Sequence, residues 1–366
     1  MSSERLRAVV VGGHIGRSHA RGYIESDRTD LVAVCDLDPI TLDTFGDEFD
    51  VEQRYSDYET MLREERPDIV SIGTPQQAHA SMTTLAATKY QPRVIICEKP
   101  MASSTGEGYA MLAACRANNV KLAIGHQGRF LSRHERVRKL LADGAIGRVI
   151  TVHAGPPKQD AGLMNIGTHN LSYLHFMLGD PTPQWVLANV QRTTDRYERS
   201  WPSEDLAGAI IEFEGGVRLC LESDTPPAGM ERNIRTFVGT EGMILLDGSN
   251  AGGTGNDIKL LRSGASGWET VTYGETHDLA QARARELDAL AAWASGDTDE
   301  HREDANLAIH TLEILMGIYE SARTHTLVHL PIATQCSPLQ QMLTDGDLPV
   351  QHPGRYDIRH IAATPE

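Results

Sequence analysis

The chain reads as an α/β protein: a doubly wound parallel sheet, then an α+β domain built on a large, open, mainly antiparallel sheet. Three observations lead there. With 366 residues, the chain is too long for one typical domain and suits two. Up to residue 125, apolar runs of strand length alternate with helical segments, as in a parallel sheet covered on both faces. Beyond that point, strand-like runs succeed one another through turns with few helices between them, as antiparallel neighbours do.

Leu6 to Val11 is the first strand. Gly12-Gly13-His14-Ile15-Gly16 makes a glycine-rich turn, and Arg17 to Ser26 the helix after it. A dinucleotide fingerprint needs this order. Glycine lets the backbone approach a pyrophosphate, and the helix N-terminus offers N–H groups and a favourable dipole. Gly13 and Gly16 fit the last two glycines of G-x-G-x-x-G, with Val11 at the first. The strand Leu31 to Cys35 ends at Asp36, 20 residues after Gly16, where a carboxylate accepts hydrogen bonds from the adenosine ribose. Leu37 and Asp38 follow, with no Arg or Lys for a 2′-phosphate, which favours NAD over NADP.

The alternation continues. Asp57 to Glu65 is a helix, and Asp68 to Ile72 a strand ending in Gly73-Thr74-Pro75. Gln76 to Thr88 is a helix carrying His79, Val94 to Cys97 a strand, Ser103 to Ala117 a helix and Val120 to Gly125 a strand. Residues 1–125 therefore form a Rossmann-type dinucleotide-binding domain. Its most informative stretch is Val94-Ile95-Ile96-Cys97 running into Glu98-Lys99-Pro100. Pro100 cannot extend a ladder, so Lys99 is held at the carboxyl end of a strand, where open α/β sheets bind ligands. A lysine there, beside Glu98, is a candidate for polarising or deprotonating a hydroxyl. Standing alone, the pair reads equally as a surface ion pair.

Residues 126–330 form a substrate-binding and oligomerisation domain. A helix over His134 to Ala142 comes first. Strands follow at Gly147 to Ala154, Trp185 to Gln191, Ala207 to Glu214, Val217 to Glu222, Ile234 to Val238, Met243 to Leu246, Ile258 to Leu261 and Thr270 to Tyr273. Gly215-Gly216 marks a hairpin. Helices are expected over Gly167 to Leu178, His277 to Ser295 and Glu303 to Arg323. So few helices leave one sheet face open, and an open apolar face usually means a subunit interface. A homo-oligomer, dimer or tetramer, is expected. Within this domain Asn165 and His169 are four apart at a helix start and share a face. His169 titrates near neutral pH and can take or return a proton. His175, inside an apolar helix, reads as structural. The proline-containing tail, residues 331–366, is expected to pack on the surface, with a short helix over Pro338 to Leu343.

Composition excludes several classes. A net charge of -16 argues against nucleic acid as a partner. No run approaches the roughly 20 apolar residues of a membrane-spanning helix. Five scattered cysteines suit reduced thiols in the cytoplasm, not a disulfide framework. No metal-ligand spacing appears, so no metal is expected.

Gly16-Arg17-Ser18-His19, Cys35-Asp36, Gly73-Thr74-Pro75 with His79, Glu98-Lys99-Pro100 and Gly167-Thr168-His169, in this order, resemble the Gfo/Idh/MocA oxidoreductases. The resemblance runs from Arg7 to Gly179 and more loosely to Leu330. It implies NAD(P)-dependent hydride transfer on a sugar, polyol or glycoside, such as C3 of a glycoside. Lys99 would orient the reacting hydroxyl and assist its proton, and His169 would be the acid/base. Thr74, Pro75 and His79 would belong to the nicotinamide side, and Glu98 would touch the cofactor ribose. The chain departs from the family where Asn165 and Ser172 stand at positions often occupied by Asp. An amide cannot accept a proton, so the task falls on His169 and Lys99. The same departure keeps two alternatives in view: a glycosidase or lyase that retains NAD and works through a transient keto-sugar, and a binding protein without turnover. Candidate substrate contacts are Gln127, Arg129, Asp160, Asn165, Arg196 and Trp201.

Overall fold

The structure, a computed structural model, describes residues 5–155, 162–198, 201–223, 234–247, 258–273 and 279–357. The chain divides into two compact units, Met1–Leu131 with Asp278–Ile309 and Ser132–His277 with His310–Glu366.

The first unit holds a six-stranded sheet of β1 (Leu6–Val11), β2 (Thr29–Cys35), β3 (Arg54–Tyr55), β4 (Ile69–Ile72), β5 (Val94–Glu98) and β6 (Lys121–Gly125). The order is β3-β2-β1-β4-β5-β6 and every pairing is parallel. The order reverses between β1 and β4, the switch point at which such sheets bind ligands. Its helices are α1 (Gly16–Glu25), α2 (Pro39–Phe49), α3 (Tyr58–Glu65), α4 (His79–Leu85) and α5 (Thr105–Ala117). Every residue of β5 is buried, as its β-branched run demands. Asp57 and Ser104 cap α3 and α5 by accepting from the N–H groups of Thr60 and Glu107.

Sequence pattern passed over α2. Its buried stripe is only Leu42, Phe45 and Gly46, too thin for a periodic signal. Its cap is strong, however: Asp38 accepts from Thr41 N–H at 2.8 Å, and Pro39 opens the helix. The segment read as one helix from Gln76 is three pieces, a 3₁₀ turn (Gln76–Ala78), α4 and a π turn (Ala86–Tyr90).

The late helix α8 (Leu279–Ser295) joins this first unit, although chain order grouped it with the strands before it. Leu287, Leu290, Ala291 and Trp293 share one core cluster with Val10, Phe45 and Ile96. Gly22 makes room for it: a Cβ there would lie 2.5 Å from Leu287.

The second unit opens with α6 (Ser132–Ala142), β7 (Val149–Ala154) and α7 (Thr168–Met177). Then come β8 (Pro183–Gln191), β9 (Thr194–Glu198), β10 (Trp201–Pro202), β11 (Leu206–Phe213), β12 (Arg218–Ser223), β13 (Ile234–Gly239), β14 (Gly242–Asp247), β15 (Ile258–Arg262) and β16 (Glu269–Val271). After α9 (Ala305–Thr324) follow β17 (Val328–His329), α10 (Pro338–Asp345) and β18 (His352–Asp357). Nine strands form one sheet, β16-β15-β14-β13-β7-β12-β11-β8-β17. Only β7 and β12 run parallel within it. Along β8 and β11 the side chains alternate. Val186 and Ile211 are buried, while Leu187 and Ile210, paired across the ladder, are 45% and 38% exposed. The tail does more than coat a surface, because β18 pairs with β9 in a small separate sheet. Among the described residues no helix is long and apolar enough to cross a membrane.

Candidate active site

The glycine turn joins β1 to α1. Val11, at the first fingerprint position, is the last residue of β1, and the tight turn falls on Gly12, whose φ is +96°. A Cβ on Gly12 would lie 2.4 Å from the Gly73 carbonyl oxygen, so this residue lets two loops touch at the switch point. Gly13 N–H donates to Asp36 Oδ2 at 2.6 Å. The N–H groups of His14 and Ile15 meet no backbone acceptor among the described residues. A turn with spare N–H groups at a helix N-terminus fits a pyrophosphate. Asp36 Oδ1 accepts from Asp38 N–H at 2.9 Å, which fixes the carboxylate at the end of β2. Beside it Leu37 and Ile40 are 87% and 74% exposed.

Thr74 and Pro75 follow β4, and Glu98 and Lys99 end β5. His79 bridges the two loops, with Nε2 2.9 Å from the Thr74 carbonyl and Nδ1 2.8 Å from the Pro100 carbonyl. It is buried, and desolvation lowers its pKa against the opposing pull of the two carbonyls. His79 thus braces the loops that carry Thr74 and Lys99. Lys99 is 8% exposed, and its backbone N–H donates to Glu98 Oε2 at 3.2 Å. Glu98 Oε1 meets His19 Nε2 at 3.0 Å and Arg283 Nη2 at 2.8 Å. Burial would raise the Glu98 pKa, but Arg283, His19 and Lys99 outweigh it and hold the carboxyl well below its usual range.

The turns that follow β4 and β6, the two neighbours of β5, each carry a buried polar atom without a hydrogen-bond partner: Gln76 Nε2 and Gln127 Oε1. Such atoms are costly unless a ligand satisfies them. His126 is buried, and its pKa falls to about 3 through desolvation and the charges of Arg129 and Lys99. Arg129 is 1% exposed, and its Nη1 donates to the Arg302 carbonyl at 2.9 Å. It is built into the interior and ties the turn after β6 to the segment before α9.

Asn165 and His169 lie in the second unit, on a π turn (Leu163–Gly167) and in the first turn of α7, both half-buried. His175 is structural: Nε2 sits 2.7 Å from the Pro181 carbonyl and the ring stacks on Phe213. Trp201 lies in β10 and is half-buried. Arg196 is buried, its Nη1 3.6 Å from Asp205 Oδ1. Asp160 lies outside the described residues. No group of three or more His, Cys, Asp or Glu able to hold a metal occurs among the described residues.

Sequence reasoning missed Arg283, a buried partner of Glu98, and Glu286, which Arg283 also holds. Arg283 and Glu286 fall on the stripe of α8 that also carries Leu287, Leu290 and Ala294, and both are buried. Two charges on an apolar stripe were the available signal.

Comparison with known proteins agrees with this geometry. The family model "Oxidoreductase family, NAD-binding Rossmann fold" matches residues 6–126, and "GFO/IDH/MocA C-terminal domain" matches residues 134–245. The D-apiose dehydrogenase of Paraburkholderia graminis is 30% identical over 235 residues, 60% of each chain. The D-glucoside 3-dehydrogenase of Escherichia coli is 24% identical over 358 residues, 90% of this chain and 99% of that one. The inositol dehydrogenase homologue from Azotobacter vinelandii, solved with NADH and myo-inositol, shares the fold at a TM-score of 0.76, with 21% identity over 89% of this chain and 98% of that one. With a glycine turn, an acid after β2, a Lys at the end of β5 and both domain models matched in order, the chain belongs to the Gfo/Idh/MocA oxidoreductase family and carries its NAD-binding Rossmann domain.

Proposed function

We propose that this protein is an NAD-dependent dehydrogenase that moves hydride between a CH–OH carbon of a sugar, polyol or glycoside and nicotinamide. One observation carries the reading. Lys99 follows the strand next to the switch-point pair, its backbone is pinned to Glu98, and Gln76 and Gln127, in the turns after the two neighbouring strands, present unsatisfied polar atoms. Bound NAD supplies the hydride acceptor. Asp36 takes the ribose hydroxyls and, followed by Leu37 and Asp38 with no Arg or Lys for a 2′-phosphate, selects NAD over NADP. Thr74 and Pro75 line the nicotinamide side, and His14, Ile15 and the glycines hold the pyrophosphate. Lys99 orients the substrate hydroxyl by donating to its oxygen, and His169 takes the hydroxyl proton. Asn165 binds a neighbouring hydroxyl, a task an amide performs as well as a carboxylate.

Relatives that act on apiose and on glucosides support a carbohydrate substrate. The exposed Leu187–Ile210 pair supports assembly of two or more copies through the open sheet face. Buried free thiols at Cys35, Cys97 and Cys115 suit a reducing, cytoplasmic setting. The absence of a carboxylate at position 165 favours one second reading, retention of NAD with cleavage through a transient ketone. Assay of NADH together with sugar products separates the two, and Lys99→Ala turning over at the wild-type rate would contradict both.

A further inference from the structure

We propose that Arg283, Glu286 and Glu303 form a buried device that positions Lys99: the two glutamates share one proton, and Arg283 ties them to Glu98, whose second oxygen holds the Lys99 backbone. The proposal rests on Lys99 serving the reaction as set out above.

The chain of contacts is continuous. Arg283 Nη1 lies 2.6 Å from Glu286 Oε2, and Arg283 Nη2 lies 2.8 Å from Glu98 Oε1. Glu98 Oε2 accepts the Lys99 N–H at 3.2 Å. Arg283, Glu286, Glu303 and Glu98 are all 3% exposed or less. A guanidinium spanning two carboxylates fixes both in plane, which a lysine ammonium cannot do.

Glu303 has a different environment. Glu286 Oε1 and both Glu303 oxygens are buried, and no donor reaches them. Two ionised carboxylates would leave all three acceptors unsatisfied and repelling. One proton held between them gives each carboxyl a partner. Burial and the Glu286 charge push the Glu303 pKa well above its usual range, which agrees with that geometry. The other ionisable groups packed around the cluster are His19 and Tyr23 on α1, His126 and Arg129 after β6, and His301 before α9. Burial holds His126 and His301 neutral, with pKa values of about 3 and about 4. None of these groups supplies Glu303 with a hydrogen bond.

Two measurements on the full-length protein test the device. Infrared spectra at neutral pH should show a carboxylic-acid carbonyl band that Glu303→Gln removes. Absence of the band from the wild type, or its survival in Glu303→Gln, overturns the shared proton. Arg283→Lys should lower kcat about 100-fold through misplacement of Lys99, with the NADH dissociation constant held. Wild-type kcat in Arg283→Lys overturns the positioning role. So does a loss of kcat matched by loss of NADH affinity, which a scaffold residue would give. Turnover retained in Lys99→Ala removes the reading of Lys99 itself, while the infrared band still reports on the glutamate pair.

Discussion

Lys99 is distinguished from a surface lysine by what surrounds it. It is 8% exposed, follows a wholly buried strand and has its N–H fixed by Glu98. Removing the amine should therefore cost chemistry more than cofactor binding. Lys99→Ala is expected to lower kcat by about 10²–10⁴-fold, and His169→Asn by a similar factor, each measured as NADH formation at saturating substrate. Asp36→Ala should raise the dissociation constant for NAD about 10–100-fold, the loss of a charge-assisted hydrogen bond, measured by fluorescence titration. Lys99 and Asp36 were legible as candidates because each follows a strand and is marked by a proline or a spacing, and His169 because it opens a helix four residues after Asn165. Arg283, Glu286 and Glu303 were not, because partners across the fold leave no local pattern, and a charge on an apolar stripe shows only that something must pair with it. Arg129, named as a candidate substrate contact, is 1% exposed and donates to the Arg302 carbonyl, a distant partner that leaves no local pattern.

Elements were legible where burial is periodic and obscure where capping or loop contact decides. Five of the six parallel strands follow directly from their apolar runs, whereas β3, only Arg54–Tyr55, has no such run and was not read, and α2 rests on Asp38, Pro39 and two large buried side chains. The attachment of α8 to the first unit was not readable at all, since Leu287 meeting Gly22 is a contact across most of the chain. Close approach of the loops after β1 and β4 gives a sharp test. Gly12→Ala combines a φ of +96° with a Cβ 2.4 Å from the Gly73 oxygen. It should destabilise the protein by about 3 kcal/mol, read by denaturant unfolding, and weaken NAD binding along with it.

At the scale of the molecule, buried ionisable groups set the pH range of stability. His126 and His301 stay neutral when folded but take a proton below about pH 6.5 when unfolded, so they favour folding increasingly as pH rises toward that value. Glu303 works in the opposite sense. Its folded pKa is raised, so above the ordinary 4.5 the unfolded chain has lost a proton that the native protein keeps. Stability from this group therefore falls as pH rises, by about 1.4 kcal/mol per unit until Glu303 ionises in the folded state. The two effects together place maximum stability near neutral pH. Melting temperatures across pH should show a fall on the alkaline side that Glu303→Gln flattens. The open sheet face carries a further expectation. Sedimentation or light scattering should give a mass above the 40.1 kDa of one chain. A Leu187→Arg, Ile210→Arg double variant should return it to the monomer by placing charge on the exposed apolar pair.

The most direct measurement follows absorbance of NADH when the protein meets NAD and a panel of pentoses, hexoses, inositols and glycosides, with sugar products analysed from the same tubes. NADH growth matched by a keto or lactone product, and abolished in Lys99→Ala, is the expected result. Product release without NADH growth, or NADH growth that survives Lys99→Ala, would contradict a Lys99-dependent dehydrogenase.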